Sequence, residues 1–137
     1  MSRRTAREAV MRLLYEYSIN NTLSHDSMYE MADIFKLNKL SEDNISYIDS
    51  IIDSFLSHRE EIDRYIESNS KSWSLNRIAN VDLSILRLAV FELLYTDTPT
   101  NIVCDEAVEI AKTFSSEKSS SFINGVLGGV IKEIKNE

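Results

Sequence analysis

The stretch VDLSILRLAVFELLY, at residues 81–95, decides the fold class of this chain. It is apolar nearly all round at helical spacing, and a helix that is apolar on every face is buried on every face. We therefore expect a central helix over about 81–96, against which the other helices pack. Its interior charges Arg87 and Glu92 are five residues apart and lie on different faces, so each is expected to form a structural ion pair with another helix.

Helical periodicity continues on both sides of this segment. Apolar residues recur at i, i+3, i+4 and i+7, while three glycines, one proline and no alternating apolar run argue against a sheet. The sequence predicts an all-α helical bundle of about seven helices, at about 5–20, 26–36, 41–56, 59–67, 81–96, 101–114 and 119–135. The polar stretch 68–72 predicts a break within a single domain, 1–137, between halves of about 1–70 and 71–137.

Two local details follow from the helix pattern. Ser41 is a good N-cap for the helix that begins beside it. Gly125, Gly128 and Gly129 lie inside the last predicted helix, where glycine is unfavourable and needs a reason. We expect another helix backbone to approach closely at Gly125, with local bending near Gly128 and Gly129 as a further possibility.

Arginines are concentrated at the start of a chain that is otherwise acidic. Arg3, Arg4, Arg7 and Arg12 outnumber the single acid Glu8, giving the first fifteen residues a net charge of +3 against −7 for the whole chain. Thr5 and Glu8 form a capping box, which predicts Thr5 as the N-cap, with Arg3 and Arg4 before the helix and Arg7 in its first turn. Ala6, Val10, Leu13, Leu14 and Tyr17 share the predicted buried face, so the basic residues are expected to remain accessible. A local phosphate-binding surface is predicted, with a merely solvated face or a targeting remnant as the alternative.

Composition excludes several classes of protein. The single cysteine, Cys104, leaves no internal disulfide, and the separated His25 and His58 give no usable set of metal ligands. No apolar stretch is long enough to span a bilayer and no signal-peptide pattern follows the arginines, so we expect a cytoplasmic protein without membrane association.

Nothing in the sequence predicts catalysis or a cofactor. Asp105 and Glu109 are four residues apart with Glu106 beside them, but no histidine, glycine-rich phosphate loop or nucleophile motif accompanies them. These acids are interpreted as a solvated face, and Cys104 as a small packing residue. We therefore expect a protein that is not an enzyme and binds no metal.

Short motifs follow one another along almost the entire chain. The first is RRTAREA at 3–9, with Leu14-Tyr15 after it; the later ones are Trp73, IANVD at 78–82, ILRLAVFELL at 85–94, Pro99, EAVEIAK at 106–112 and FINGVL at 122–127. Each motif is weak alone, but in this order and spacing they resemble the NusB family of bacterial transcription antitermination factors. The resemblance is weakest over 21–72.

The resemblance implies two packed three-helix subdomains and a specific activity. Family members bind single-stranded boxA RNA in nascent ribosomal and phage transcripts as a heterodimer with NusE, which is also a small-subunit ribosomal protein. The complex joins other Nus factors on RNA polymerase and suppresses premature termination, which supports ribosomal RNA transcription. By position, Arg3, Arg4 and Arg7 match the RNA-contacting motif, and Tyr15 and Asp82 match positions associated with the NusE interface.

Phe122 falls where the family has an RNA-contacting aromatic, although a core phenylalanine at the start of a helix is an equal alternative. Lys118 replaces an acid that is common in relatives and adds positive charge near Phe122. Asp105 and Gly128 also depart from the pattern, where asparagine and an acid are usual, and bear on helix stability more than on function.

Two other kinds of protein compete with this interpretation. NusB-like domains occur ahead of ribosomal RNA cytosine methyltransferases, but this sequence has no dinucleotide-like fold to hold a methyl donor. The alternative is a non-enzymatic helical protein-interaction module, such as a homodimer, without RNA binding.

Overall fold

A computed structural model describes residues 2–24, 41–71 and 74–137, and this part of the chain is helical. The elements are α1 (Arg3–Asn20), α2 (Glu42–Asn69), a 3-10 turn (Leu75–Arg77), α3 (Asn80–Tyr95), α4 (Thr100–Phe114) and α5 (Glu117–Lys135). The all-α class is confirmed. The helix predicted at 26–36 lies outside the described residues, as do His25 and Trp73.

Helix α1 begins earlier than the capping box predicts. Ser2 is the N-cap, and its Oγ accepts a hydrogen bond from the Thr5 backbone N–H at 3.3 Å. The prediction of Thr5 as the cap is therefore wrong, because a second good capping residue lies three positions upstream. As a result, Arg3 and Arg4 occupy the first turn of the helix, where no acidic residue accompanies them.

The third and fourth predicted helices are one continuous helix. Ser41 caps its start as predicted, since its Oγ accepts from the Asn44 backbone N–H at 3.3 Å. The helix then continues through Asn69, because the connecting residues 56–61 contain neither glycine nor proline to interrupt it. Within the described residues, the two helices predicted at 41–56 and 59–67 therefore count as one.

The chain forms two compact units, Met1–His58 and Arg59–Glu137, with the boundary inside the α2 sequence. In the N-terminal unit, Tyr17 of α1 meets Phe55 of α2 edge-to-face, with ring centroids 5.8 Å apart. In the C-terminal unit, α3, α4 and α5 pack against one another. The division near residue 70 that the polar stretch predicts stays a prediction.

The α3 helix is the buried post that the sequence predicts. Most of its length is buried, from Asp82 to Glu92, including the charged Arg87. Arg87 pairs with Asp63 of α2 within the C-terminal unit, which confirms the expectation of a partner on another helix.

The glycine that permits a close approach is Gly129, so the prediction of Gly125 is wrong. A Cβ at Gly129 would lie 3.0 Å from Asn69 Cγ and closer still to Oδ1, whereas none of the described residues lies within 4 Å of a Cβ built at Gly125 or Gly128. The approaching group is a side chain of α2, and a pattern within α5 carries no information about it.

Candidate nucleic-acid interface

The arginines at the start of α1 differ sharply in exposure. Arg4 is exposed, Arg3 is half-buried, and Arg7 is only 5% exposed. The expectation that all of them remain accessible is therefore wrong for Arg7. Its position three residues before Val10 and seven before Leu14 places it on the buried face of α1.

Two buried side chains of α2 contact these arginines. Asn44 Oδ1 accepts a hydrogen bond from Arg3 Nε at 2.6 Å. The Tyr47 ring centroid lies 4.3 Å from Arg3 Cζ and 5.9 Å from Arg7 Cζ, within the range of cation–π attraction. The cluster is thus held by an amide and an aromatic ring on a neighbouring helix.

The first turn of α1 combines two sources of positive potential. Its backbone N–H groups carry the positive end of the helix dipole, and Arg3 and Arg4 add formal charge in the same turn. Neighbouring cations are unfavourable there, while a bound anion is favourable. This end of the helix is therefore suited to a phosphate group.

A recess in the C-terminal unit holds the other predicted RNA-contacting residues. Its volume is about 290 Å³, and it is lined by Arg77, Ile78, Ala79, Asp82, Lys118, Ser119 and Phe122. Lys118 and Phe122 are four residues apart on α5, so they share one face of that helix. Ser116 is the N-cap of α5, and its side chain accepts from the Ser119 backbone N–H at 3.0 Å.

Phe122 is half-buried in the wall of this recess and not enclosed in a core, while Lys118 and Arg77 are exposed. Asp82, in the first turn of α3, is only 7% exposed, and its Oδ1 has no hydrogen-bond partner within the described residues. The structure therefore brings Asp82 together with Lys118 and Phe122, whereas Tyr15 belongs to the N-terminal unit.

Tyr15 lies on an exposed apolar strip of α1. It is partly exposed, and Ile19, one turn further along, is 57% exposed. Residues four apart face the same way on a helix, so the two form one contact surface. Such a pair offers apolar surface that a protein partner could cover.

Sequence reasoning missed four of these residues. Arg77 carried a weak signal, because it is a cation directly before the IANVD motif. Ile19 carried another, because it is an apolar residue outside the main apolar face of α1. Asn44 and Tyr47 carried none, because their role depends on how α2 packs against α1.

The described residues contain neither a helix long and apolar enough to cross a membrane nor a group of histidine, cysteine and acidic residues placed to hold a metal ion. Cys104 is half-buried on α4. Burial and the neighbouring Asp105 raise the pKa of its thiol. A raised pKa of this kind disfavours a nucleophilic thiolate.

Comparisons with known proteins agree with the motif order. The profile of the NusB family matches residues 4–132. The transcription antitermination protein NusB of Finegoldia magna is 42% identical over 137 residues, covering 99% of this chain and 98% of that protein. The protein of the same name from Natranaerobius thermophilus is also 42% identical, covering 98% and 97% of the two chains.

A solved structure described as antitermination factors NusB and NusE in complex with double-stranded RNA has a similar fold. The TM-score is 0.84 at 28% identity, with 96% of each chain covered. Both the sequence and the fold agree along nearly the whole length. The chain therefore belongs to the NusB family.

Proposed function

We propose that this protein is a transcription antitermination factor that binds single-stranded boxA RNA together with NusE. In this proposal the complex joins RNA polymerase with other Nus factors and supports ribosomal RNA transcription. The names of the relatives and the solved complex of NusB with NusE and RNA support the activity. The observation that carries the proposal is the presence of accessible cations and an aromatic wall at the positions that match the family's RNA motif.

In the N-terminal unit, the contacts we propose are with phosphates. Arg4 is exposed and Arg3 half-buried at a helix N-terminus, where charge and dipole favour the same anion. Arg7, predicted as a contact by position, is buried behind them. We propose that Arg3 and Arg4 bind the RNA backbone and that Arg7 acts within the protein.

In the C-terminal unit, we propose that the recess takes an RNA base. The Phe122 ring offers a stacking surface, and Lys118 and Arg77 supply charge for the adjoining phosphate. Stacking on a protein ring requires a base that is free of its neighbours, which is typical of single-stranded RNA. This favours single-stranded over double-stranded RNA as the ligand.

For NusE, we propose the strip formed by Tyr15 and Ile19, with Asp82 retained as a predicted contact. Tyrosine and exposed aliphatic side chains are common anchors of protein interfaces. Asp82 lines the same recess as Phe122, so a NusE segment that reaches Asp82 would lie beside the proposed base site. The same strip would also fit the alternative function, a helical protein-interaction module. That module differs from the proposed antitermination factor because it does not bind RNA.

Salt dependence of binding tests this proposal. Fluorescence anisotropy would compare boxA RNA with a scrambled RNA of equal composition, each with and without NusE. If about three phosphates are neutralised, log K falls with log salt at a slope near −2. Substituting Arg4→Ala reduces this slope by about 0.7, whereas Lys112→Ala, a change to an exposed cation of α4, leaves it unchanged. Equal affinity for both RNAs, or binding independent of salt, would contradict the proposal.

A further inference from the structure

The arginine cluster has a support on α2 that the family motif does not include. Two guanidinium groups, those of Arg3 and Arg7, lie within 6 Å of the Tyr47 ring centroid. Like charges repel each other, and both also lie near the positive end of the α1 dipole. The negative face of the ring offsets this repulsion, so Tyr47 allows the cluster to be compact.

Asn44 contacts one edge of the Arg3 guanidinium group, the edge that carries Nε. Its Oδ1 accepts from Nε at 2.6 Å. Within the described residues no hydrogen bond from the Arg3 Nη groups is found. A guanidinium held at Nε and over a ring face presents its remaining donors in a fixed plane, which matches two oxygens of a phosphate.

Holding a side chain in its binding geometry lowers the cost of binding. A long, free arginine loses rotamer freedom when it grips a phosphate, whereas one already fixed by its neighbours loses less. Asn44 and Tyr47 are themselves buried, and they are three residues apart on α2, so they form one rigid support.

We propose that Asn44 and Tyr47 are positioning residues of the RNA-binding surface, acting through Arg3. They keep the Arg3 guanidinium in place so that its Nη groups meet the RNA phosphate without reordering. The buried Arg7, with its Cζ 5.9 Å from the centroid of the same ring, completes the support. This inference rests on the proposed RNA binding.

The test is a set of double-mutant cycles on RNA binding. The dissociation constant for boxA RNA, with NusE at saturation, is measured for Asn44→Ala, Tyr47→Leu and Tyr47→Phe, each alone and with Arg3→Ala. We expect Asn44→Ala to weaken binding about threefold and Tyr47→Leu about tenfold, with Tyr47→Phe within about twofold of the parent because the ring is retained. In the Arg3→Ala background these losses disappear. Asn101→Ala, which removes an exposed amide on α4, is the matched control.

A purely structural role gives a different pattern. Losses of equal size with and without Arg3 would overturn the inference, as would full affinity in both Asn44→Ala and Tyr47→Leu. If Tyr47→Leu lowers helical circular dichroism, Asn44→Ala decides alone, since it is the smaller change. Failure of the parent protein to bind RNA would overturn the proposed function and this inference together, whereas binding that is indifferent to both residues would overturn only the inference.

Discussion

Arg87 of α3 donates two parallel hydrogen bonds to the Asp63 carboxylate of α2. Its Nε donates to Oδ1 at 2.9 Å and its Nη2 donates to Oδ2 at 3.0 Å. The side chains are 8% and 7% exposed, so both charges are nearly removed from water. Arg59, 38% exposed, approaches the same carboxylate at 3.5 Å from one side. A buried pair of this geometry specifies how α3 meets α2 within the C-terminal unit.

Breaking this pair should destabilise the protein strongly. Arg87→Met leaves the Asp63 carboxylate buried without its main partner, and we expect a loss of about 3–5 kcal/mol in the free energy of unfolding. Urea denaturation followed by circular dichroism measures it. Arg59→Met, which removes the exposed cation beside the same acid, should cost less than about 1 kcal/mol. Equal losses of unfolding free energy in the two variants would show that burial of the Arg87–Asp63 pair does not determine its contribution to stability.

The three glycines of α5 should respond differently to alanine. Gly129→Ala places a Cβ against Asn69, whose Nδ2 is held by Tyr65 O at 2.8 Å and Glu133 Oε1 at 2.9 Å. Because that side chain cannot easily move, we expect a loss of about 1–3 kcal/mol in unfolding free energy. Gly128→Ala meets open space and should gain up to about 1 kcal/mol from helix propensity. Thermal or urea unfolding of the two variants compares them, and a stabilised Gly129→Ala would contradict the close approach.

Alkaline pH should weaken the fold through Tyr95. Burial, followed by its hydrogen bond to Glu61, raises the pKa of the Tyr95 phenol from 10.0 to about 12. The neutral phenol is thus favoured in the folded state, so its contribution to stability is complete below pH 10 and is lost as pH rises from 10 to about 12. Difference absorbance of tyrosinate, comparing the parent with Tyr95→Phe, isolates this group from Tyr65, whose pKa is also raised. Ionisation of Tyr95 near its ordinary pKa would count against the Glu61 contact.

The exposed strip of α1 predicts a selective effect on NusE. Ile19→Glu places a charge where we propose an apolar contact with NusE, and should weaken the heterodimer at least tenfold, about 1.4 kcal/mol, without lowering helical content. Ile102→Glu, at an isoleucine of α4 that is 42% exposed, is the matched control and should leave association unchanged. Calorimetric titration with purified NusE measures both. Unchanged association of Ile19→Glu would remove this strip from the interface.

Phe122 should contribute stacking energy to RNA binding. Phe122→Leu keeps an apolar side chain in the recess but removes the ring, so we expect a loss of about 1–3 kcal/mol in affinity for boxA RNA. Phe114→Leu, at a half-buried phenylalanine on α4 that does not line the recess, is the control. Anisotropy titrations would distinguish them, and equal losses would assign Phe122 a packing role only.

The spacing of apolar residues was sufficient for the fold class and for most helices, because burial of one face dictates that spacing. It also contained the position of Arg7: the i+3 and i+7 neighbours of Arg7 are Val10 and Leu14, both buried. The expectation of an accessible Arg7 followed from assigning only apolar residues to the buried face, and the Tyr47 ring near Arg7 lies forty residues away in the sequence. Cation–π contacts between helices leave no local trace.

The same limit explains the other differences. The choice between Ser2 and Thr5 as the cap depended on which side chain reaches a free N–H, and both residues are good candidates. Gly129 could not be identified from the α5 sequence as the glycine that another helix approaches, because the approaching residue, Asn69, belongs to α2. Arg77, Lys118 and Phe122 meet only where the ends of several elements converge.

The first turn of α1, with two arginines and no acid, links helix fraying to ligand binding. Each cation near the dipole's positive end costs about 0.3–1 kcal/mol, so this turn opens more readily than the rest of the helix. An anion that binds there removes the same cost. If the closed turn binds the anion more tightly than the open turn does, the bound anion shifts the equilibrium towards the closed turn by the same factor. Amide hydrogen exchange in this turn should therefore slow when a polyanion is added, which makes local opening of the backbone a direct reporter of occupancy.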